Sequence, residues 1–244
     1  MLAIGVYAWR LTDDLSDYIL GGRKLSPSVT ALSAGASDMS GWLLLGLPGA
    51  IYLKGFSAGL IGFGLVIGAY LNWKYIAPRI RLFTEKFGDS LTLPDYFENR
   101  FNDQSKILRV VSATVILIFF TFYTASGLVA GATLFNHTFN MEYQIALWIG
   151  ALVIVSYTFL GGFLAVSWTD FVQGLLMLLA LIVAPITALY ELGGWTQTTL
   201  IIANSKGLLF NQNLLDPFSG LTLIGTLSFL AWGFGYVGQP HILA

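Results

Sequence analysis

The sequence predicts an all-α, polytopic membrane protein. Charge is scarce, with 12 Lys/Arg and 13 Asp/Glu among 244 residues. Hydrophobic residues make up 56% of the chain, and its mean hydropathy is +0.73. Apolar runs of about 20 residues, the length a helix needs to cross the hydrocarbon, recur along it. An ordinary soluble domain carries about 25% charged residues, against 10% here. That scarcity excludes a soluble enzyme or a disordered tail, and a net charge of -1 excludes a nucleic-acid binder. With no Cys and two His, disulfides, thiolate metal sites and a His-rich cluster are excluded as well.

Residues 1–10 (MLAIGVYAWR) are apolar but too short to span. They lack a charged leading region and a cleavage site, so they read as the second half of a span, not as a signal peptide. Full spans are expected at 28–52, 56–73, 107–135, 143–164, 167–190 and 219–240. The last span ends four residues before the sequence does, so the 244 residues read as one transmembrane domain cut from a longer one. Ten cationic residues fall on the side of the 11–27 loop: Arg10, Arg23, Lys24, Lys74, Arg79, Arg81, Lys86, Arg100, Lys106 and Arg109. Lys54 and Lys206 fall on the other. The positive-inside rule makes the first side cytoplasmic, and the 74–106 loop with it. Within that loop, Thr92-Leu-Pro-Asp95 has the N-cap and first-turn proline that open a short interfacial helix. The 191–218 loop is external. Asn136-His-Thr138 is a formal glycosylation sequon of a kind common by chance. Gly55/Gly59, Gly64/Gly68 and Gly127/Gly131 are small-residue pairs that permit close helix approach.

Two spans break the pattern. The first is 28–46 (SVTALSAGASDMSGWLLLG), where a membrane helix should be most apolar. It holds Asp38, the one carboxylate well inside a span. An ionised Asp there costs several kcal/mol unless hydrated or paired, and no Lys or Arg lies within a span to pair with it. A cation from solution is the simple partner, and Na⁺ prefers hard oxygen ligands. Ser33, Ser37 and Ser40 carry hydroxyls, and Gly35 and Gly41 each lower helix preference by about 1 kcal/mol relative to Ala. A break in this helix would free backbone carbonyls for an ion, as the discontinuous helices of secondary transporters do. The competing reading is a buried or protonated acid that fixes helix packing.

The second odd span ends AWGFGYVGQPHILA, with Trp232, Gly233, Gly235, Tyr236, Gly238 and Pro240 crowded together. Glycines and a proline weaken a helix, while the aromatics offer stacking surface and polar tips. An aromatic belt at a helix end is the competing reading. Tyr123 sits mid-span, where a phenol needs a partner; a neighbouring helix would supply one. Asp170 reads as an interfacial charge at the start of a span, favoured by the helix dipole. Arg23 reads as a topology determinant behind a glycine pair that suggests a hinge.

The stretch DYILGGRKLSPSVTALSAGASDMSGWLLLGLPGA closely resembles the sodium/solute symporter family, long and without gaps. The resemblance continues through SLTLPDYFENRF, FFTFYTASGLVAGATLF, TFLGGFLAVSWTDFVQ and AWGFGYVGQPHILA, and is least distinctive in 191–218. It implies a leucine-transporter-like fold of two inverted five-helix repeats behind an extra first helix. Residues 1–10 would end that extra helix, 28–190 would be the first five-helix repeat, and 219–240 would be the first helix of the second repeat. The two odd spans would then occupy corresponding positions in the two halves, where a binding site is expected.

The resemblance also implies Na⁺-coupled uptake of L-proline across the cytoplasmic (inner) membrane of a bacterium, with no cofactor beyond Na⁺ as coupling ion. Asp38 matches an aspartate needed for Na⁺ coupling. Ala36 and Met39 match positions whose carbonyls serve the Na⁺ site. Ser40 and Gly41 match positions tied to ligand and Na⁺ affinity. Tyr123, Trp232, Tyr236 and Pro240 match residues implicated in proline binding, and Arg23 and Asp170 match residues important for coupling and conformational change. A Ser/Thr pair that completes the family's Na⁺ site would lie beyond Ala244. Related symporters carry pantothenate, a sugar or another small organic acid, and some relatives form the membrane sensor of a histidine kinase. An intramembrane enzyme is disfavoured, because no paired acid and base, HExxH or nucleophile constellation is present.

Overall fold

The computed structural model describes residues 1–204 and 213–239. In chain order its helices are α1 (Leu2–Trp9), α2 (Leu15–Leu20), α3 (Pro27–Asp38), α4 (Leu47–Lys54), α5 (Gly59–Leu71) and α6 (Ala77–Lys86). Then follow α7 (Leu93–Phe101), α8 (Ile107–Phe139), α9 (Tyr143–Glu191), α10 (Trp195–Asn204) and α11 (Leu223–Leu230). Short 3₁₀ stretches lie at Gly21–Arg23, Gly55–Ala58 and Ala231–Gly238, and π stretches at Trp42–Gly46 and Asn72–Ile76. No strand occurs among the described residues. Among the described residues three runs are long and apolar enough to cross a membrane: Leu47–Lys86, Ile107–Phe139 and Tyr143–Glu191. Phe119, Phe122, Trp148 and Phe159 on these runs stand largely exposed. So continuous an apolar surface is stable in lipid and not in water, which makes this a membrane protein.

The chain divides into two compact units, one of Met1–Gly41 with Ile80–Leu175 and one of Trp42–Arg79 with Leu176–Gln239. In the first, Ala8 of α1 packs with Tyr157 and Ala165 of α9 in a small buried cluster. The expected spans 143–164 and 167–190 form one helical run interrupted at Gly162, whose φ of 54° and ψ of -145° depart from the helix. A side chain there would be strained by that φ and would also strike the Tyr18 backbone. The helix expected from Thr92-Leu-Pro-Asp95 is α7: the Thr92 hydroxyl accepts the Asp95 amide at 3.3 Å and donates to the Asp95 carboxylate at 2.8 Å. Arg109 ties α8 to α7 by pairing with Asp95 at 2.8 Å and Glu98 at 3.2 Å. Asp103 caps the start of α8, accepting the Leu108 amide at 2.8 Å. The Ser105 hydroxyl first, and then the Leu108 amide, hold the Asp103 carboxyl below its usual range.

In the second unit, α5 lies along α11 and the 3₁₀ stretch Ala231–Gly238. The approach is backbone to backbone: a Cβ on Gly64 would strike the Leu230 main chain, and one on Gly68 the Gly233 main chain. Of the expected glycine pairs this is the one in which both members make such an approach; Gly55 meets the Leu214 main chain, whereas Gly59, Gly127 and Gly131 have nothing within 4 Å. One turn beyond Gly68, Asn72 is 0% exposed.

Candidate functional site

The first odd span is broken, as its composition predicts. Helix α3 opens with Ser26 capping the Val29 amide and Pro27 in the first turn, and it ends at Asp38. Met39, at φ -73° and ψ 81°, leaves the helix. The Ser40 amide donates to the Asp38 carbonyl at 2.8 Å, closing a tight reverse turn around Met39 of the inverse γ kind. The Met39 amide donates to the Ala36 carbonyl at 3.1 Å. Gly41 would have supplied the helical donor to the Ser37 carbonyl, but the break removes it.

The phenol of Tyr123 takes that place, donating to the Ser37 carbonyl at 2.8 Å. The same phenol lies beside the Ser40 side chain and within the field of the Asp38 carboxylate. Two turns of α8 support the break, because Gly41 sits against the Ser126 carbonyl and Ala130 of the face that carries Tyr123. The structure therefore brings Asp38, Ser40, Gly41 and Tyr123 together within the first unit. The neighbouring helix expected for the Tyr123 phenol is α3.

Asp170 differs from its expected role as an interfacial charge. It is half-buried, and its Oδ2 accepts both the Ser33 and the Ser37 hydroxyls, each at 3.0 Å. Two of the three hydroxyls expected to face the Asp38 cation therefore serve a second carboxylate. Ser33 and Ser37 are one turn apart and share one face of α3, which is why a single oxygen can collect both. Nothing in sequence spacing signals this pairing, since the partners lie 137 and 133 residues apart.

Arg23 adopts a positive φ of 56°. Its guanidinium pairs with Asp89 and donates to the Ser90 carbonyl at 3.3 Å. It thus joins the loop after α2 to the loop between α6 and α7, a link that a topology determinant does not require.

In the second unit, α11 gives way at Ala231 to 3₁₀ geometry through Gly238. Trp232 stacks on Trp42 with ring centroids 5.0 Å apart and planes 19° from parallel. Tyr236 is buried. Trp42 carried no signal in sequence beyond being aromatic. Pro240 lies outside the described residues. Among the described residues no three His, Cys, Asp or Glu side chains converge as a metal cluster. A cation held near Asp38 would meet one carboxylate and the neutral oxygens of the turn.

The profile of the sodium:solute symporter family matches residues 18–244. A sodium/proline symporter of Salmonella typhimurium is 55% identical over 244 residues, all of this chain and 48% of the relative. The high-affinity proline transporter PutP of Bacillus subtilis is 54% identical over 243 residues, 50% of its length, and the osmoregulated proline transporter OpuE of the same organism is 51% identical over 48% of its length. The chain spans about half the length of the curated relatives it matches. No solved structure matches it.

Proposed function

The chain belongs to the sodium:solute symporter family, and from that premise we propose that it is part of a transporter coupling Na⁺ entry to L-proline uptake. The observation that carries the proposal is the interruption of α3 at Asp38–Ser40, a carboxylate beside backbone that has left the helix. Full-length relatives of this family named as proline transporters support the choice of solute. The proposal includes a bacterial cytoplasmic membrane as the location and two inverted repeats as the fold. In it 1–10 closes an extra first helix, 28–190 forms the first repeat and 219–240 opens the second.

Na⁺ is the coupling substrate. Asp38 supplies the negative charge, the carbonyls of Ala36 and Met39 supply neutral oxygens, and Ser40 and Gly41 shape the turn that presents them. Binding Na⁺ neutralises a charge that is costly in the membrane and orders the break. Ser40 and Tyr123 offer hydroxyls to the solute's polar groups. Trp232 and Tyr236 offer ring surface to a pyrrolidine, and Pro240, which follows them in sequence, is assigned to the same solute. Arg23 and Asp170 act on conformation, one by joining two cytoplasmic loops and the other by holding α3 through its serines.

Uptake of labelled proline into proteoliposomes bearing the protein as its gene encodes it tests the proposal. A membrane potential of 100 mV drives about fiftyfold accumulation per charge moved, from about 2.3 kcal/mol. That accumulation should need Na⁺ and collapse in Asp38→Ala. Equal uptake without Na⁺, or full uptake in Asp38→Ala, defeats the coupling. Accumulation of pantothenate or a sugar in place of proline reassigns the solute.

A further inference from the structure

Among the described residues, Asn72 alone leaves both polar atoms of a fully buried side chain without a hydrogen-bond partner. A carboxamide offers two donors and an acceptor, and burying it unpaired costs its full desolvation. An apolar side chain of the same size would fill the space without that cost. The position is specific. Gly64, Gly68 and Asn72 are spaced by four and form one stripe along α5 and its continuation. The first two meet the main chain of Leu230 and Gly233. The Asn72–Ile76 stretch that follows also packs on Ala231–Gly238. Continuing the same register brings Asn72 level with the neighbourhood of Tyr236.

Both segments are poised to rearrange. Ala231–Gly238 is an eight-residue 3₁₀ run, longer than that geometry usually tolerates, because its hydrogen bonds are poorer than those of an α-helix. Asn72 itself begins a π stretch, a widened turn of a kind often found at functional sites. A carboxamide with nothing to bond thus lies against a backbone whose own bonds are weak.

We propose that Asn72 is a positioning residue for the segment carrying Trp232 and Tyr236. Its carboxamide takes up main-chain N–H and C=O groups that Ala231–Gly238 releases when that segment opens to hold solute. In the structure the segment keeps its 3₁₀ geometry and the Asn72 carboxamide is unpaired. This assignment rests on the reading of Trp232 and Tyr236 as solute contacts given above.

The test uses the gene-encoded protein, parent and Asn72→Leu, with proline and Na⁺ as probes. Melting temperature is read in micelles without ligand and with Na⁺ plus proline, and uptake kinetics are read in proteoliposomes. Asn72→Leu is expected to keep or raise the ligand-free melting temperature, because the orphaned group is gone. It should shrink the rise produced by Na⁺ plus proline and weaken the apparent proline affinity about tenfold, the scale of one lost hydrogen bond. Asn72→Ser, which retains a donor and an acceptor, should recover part of both. If Asn72→Leu fails to fold, Asn72→Ala carries the same comparison. Parent-like affinity and ligand-induced rise in the variants overturn the assignment. So does a lowered ligand-free melting temperature with an unchanged ligand-induced rise, since that marks a static structural partner. Failure of the parent itself to take up proline with Na⁺ defeats the solute reading, and the assignment with it. Normal parent uptake with unaffected variants defeats the assignment alone.

Discussion

The interruptions at Asp38–Ser40 and at Ala231–Gly238 are held open by different means. At Asp38–Ser40 the interruption is polar, and its freed groups have partners: the Tyr123 phenol on the Ser37 carbonyl, and the Ser33 and Ser37 hydroxyls on Asp170. At Ala231–Gly238 the interruption is apolar and aromatic. It is braced by glycine-to-backbone contact along Gly64 and Gly68 and by Trp42 stacked on Trp232. Hydrogen bonds have direction and can be exchanged singly, whereas close backbone packing is all or none. The first interruption therefore suits a small ion that replaces one oxygen contact by another. The second suits a bulkier occupant that must displace a surface.

Substitutions at each interruption sharpen that contrast. The largest effect is expected from Gly68→Val, which drives a branched side chain into the Gly233 main chain, where no flexible side chain can yield. Overpacking of this kind costs about 3 kcal/mol. It should appear as a lowered melting temperature in micelles, with amide exchange rising first at 231–238. A parent-like melting temperature would show that α5 and the 3₁₀ segment are not in contact. Asp170→Ala should cost about 2 kcal/mol, because it strands two largely buried hydroxyls. Amide exchange in α3 reads it, and unchanged protection there would deny the clamp. The smallest effect is expected from Tyr123→Phe, which keeps the ring and removes one donor, at about 1 kcal/mol. Its stability loss should be slight while Na⁺ affinity in uptake assays shifts, since the freed Ser37 carbonyl adjoins the turn at Asp38. An unchanged Na⁺ affinity would separate Tyr123 from the ion site.

The contrast also marks what a single sequence can convey. The interruption at Asp38 is legible because Ser, Gly and Asp where a membrane helix should be apolar can have few other meanings. The change to 3₁₀ geometry after Leu230 is legible from Gly233, Gly235 and Gly238 in the same way. The α7 cap follows from Thr92 and Pro94. The partners of Asp170 were not legible: a carboxylate three residues after Ser167 looks like a helix-end charge until α3 is laid against it. Asn72 was hidden by its place beside Lys74, where it passes for the polar edge of a span. Its signal, weak but present, is the four-residue spacing from Gly64 and Gly68, which puts it on the packed face. Trp42 gave no sign of its stacking partner, because which rings meet depends on packing and not on pattern.

The two serines on one carboxylate oxygen have a mechanical consequence. Ser33 and Ser37 follow each other along the axis of α3, about one helical turn and about 6 Å apart. Sliding α3 lengthwise by that distance brings one hydroxyl to the place the other has left, so Asp170 keeps a donor throughout. Twisting α3 about its axis by one side-chain step carries both hydroxyls off the oxygen at once. Asp170 and its serines thus oppose a rotation of α3 with two hydrogen bonds and a slide along its axis with one.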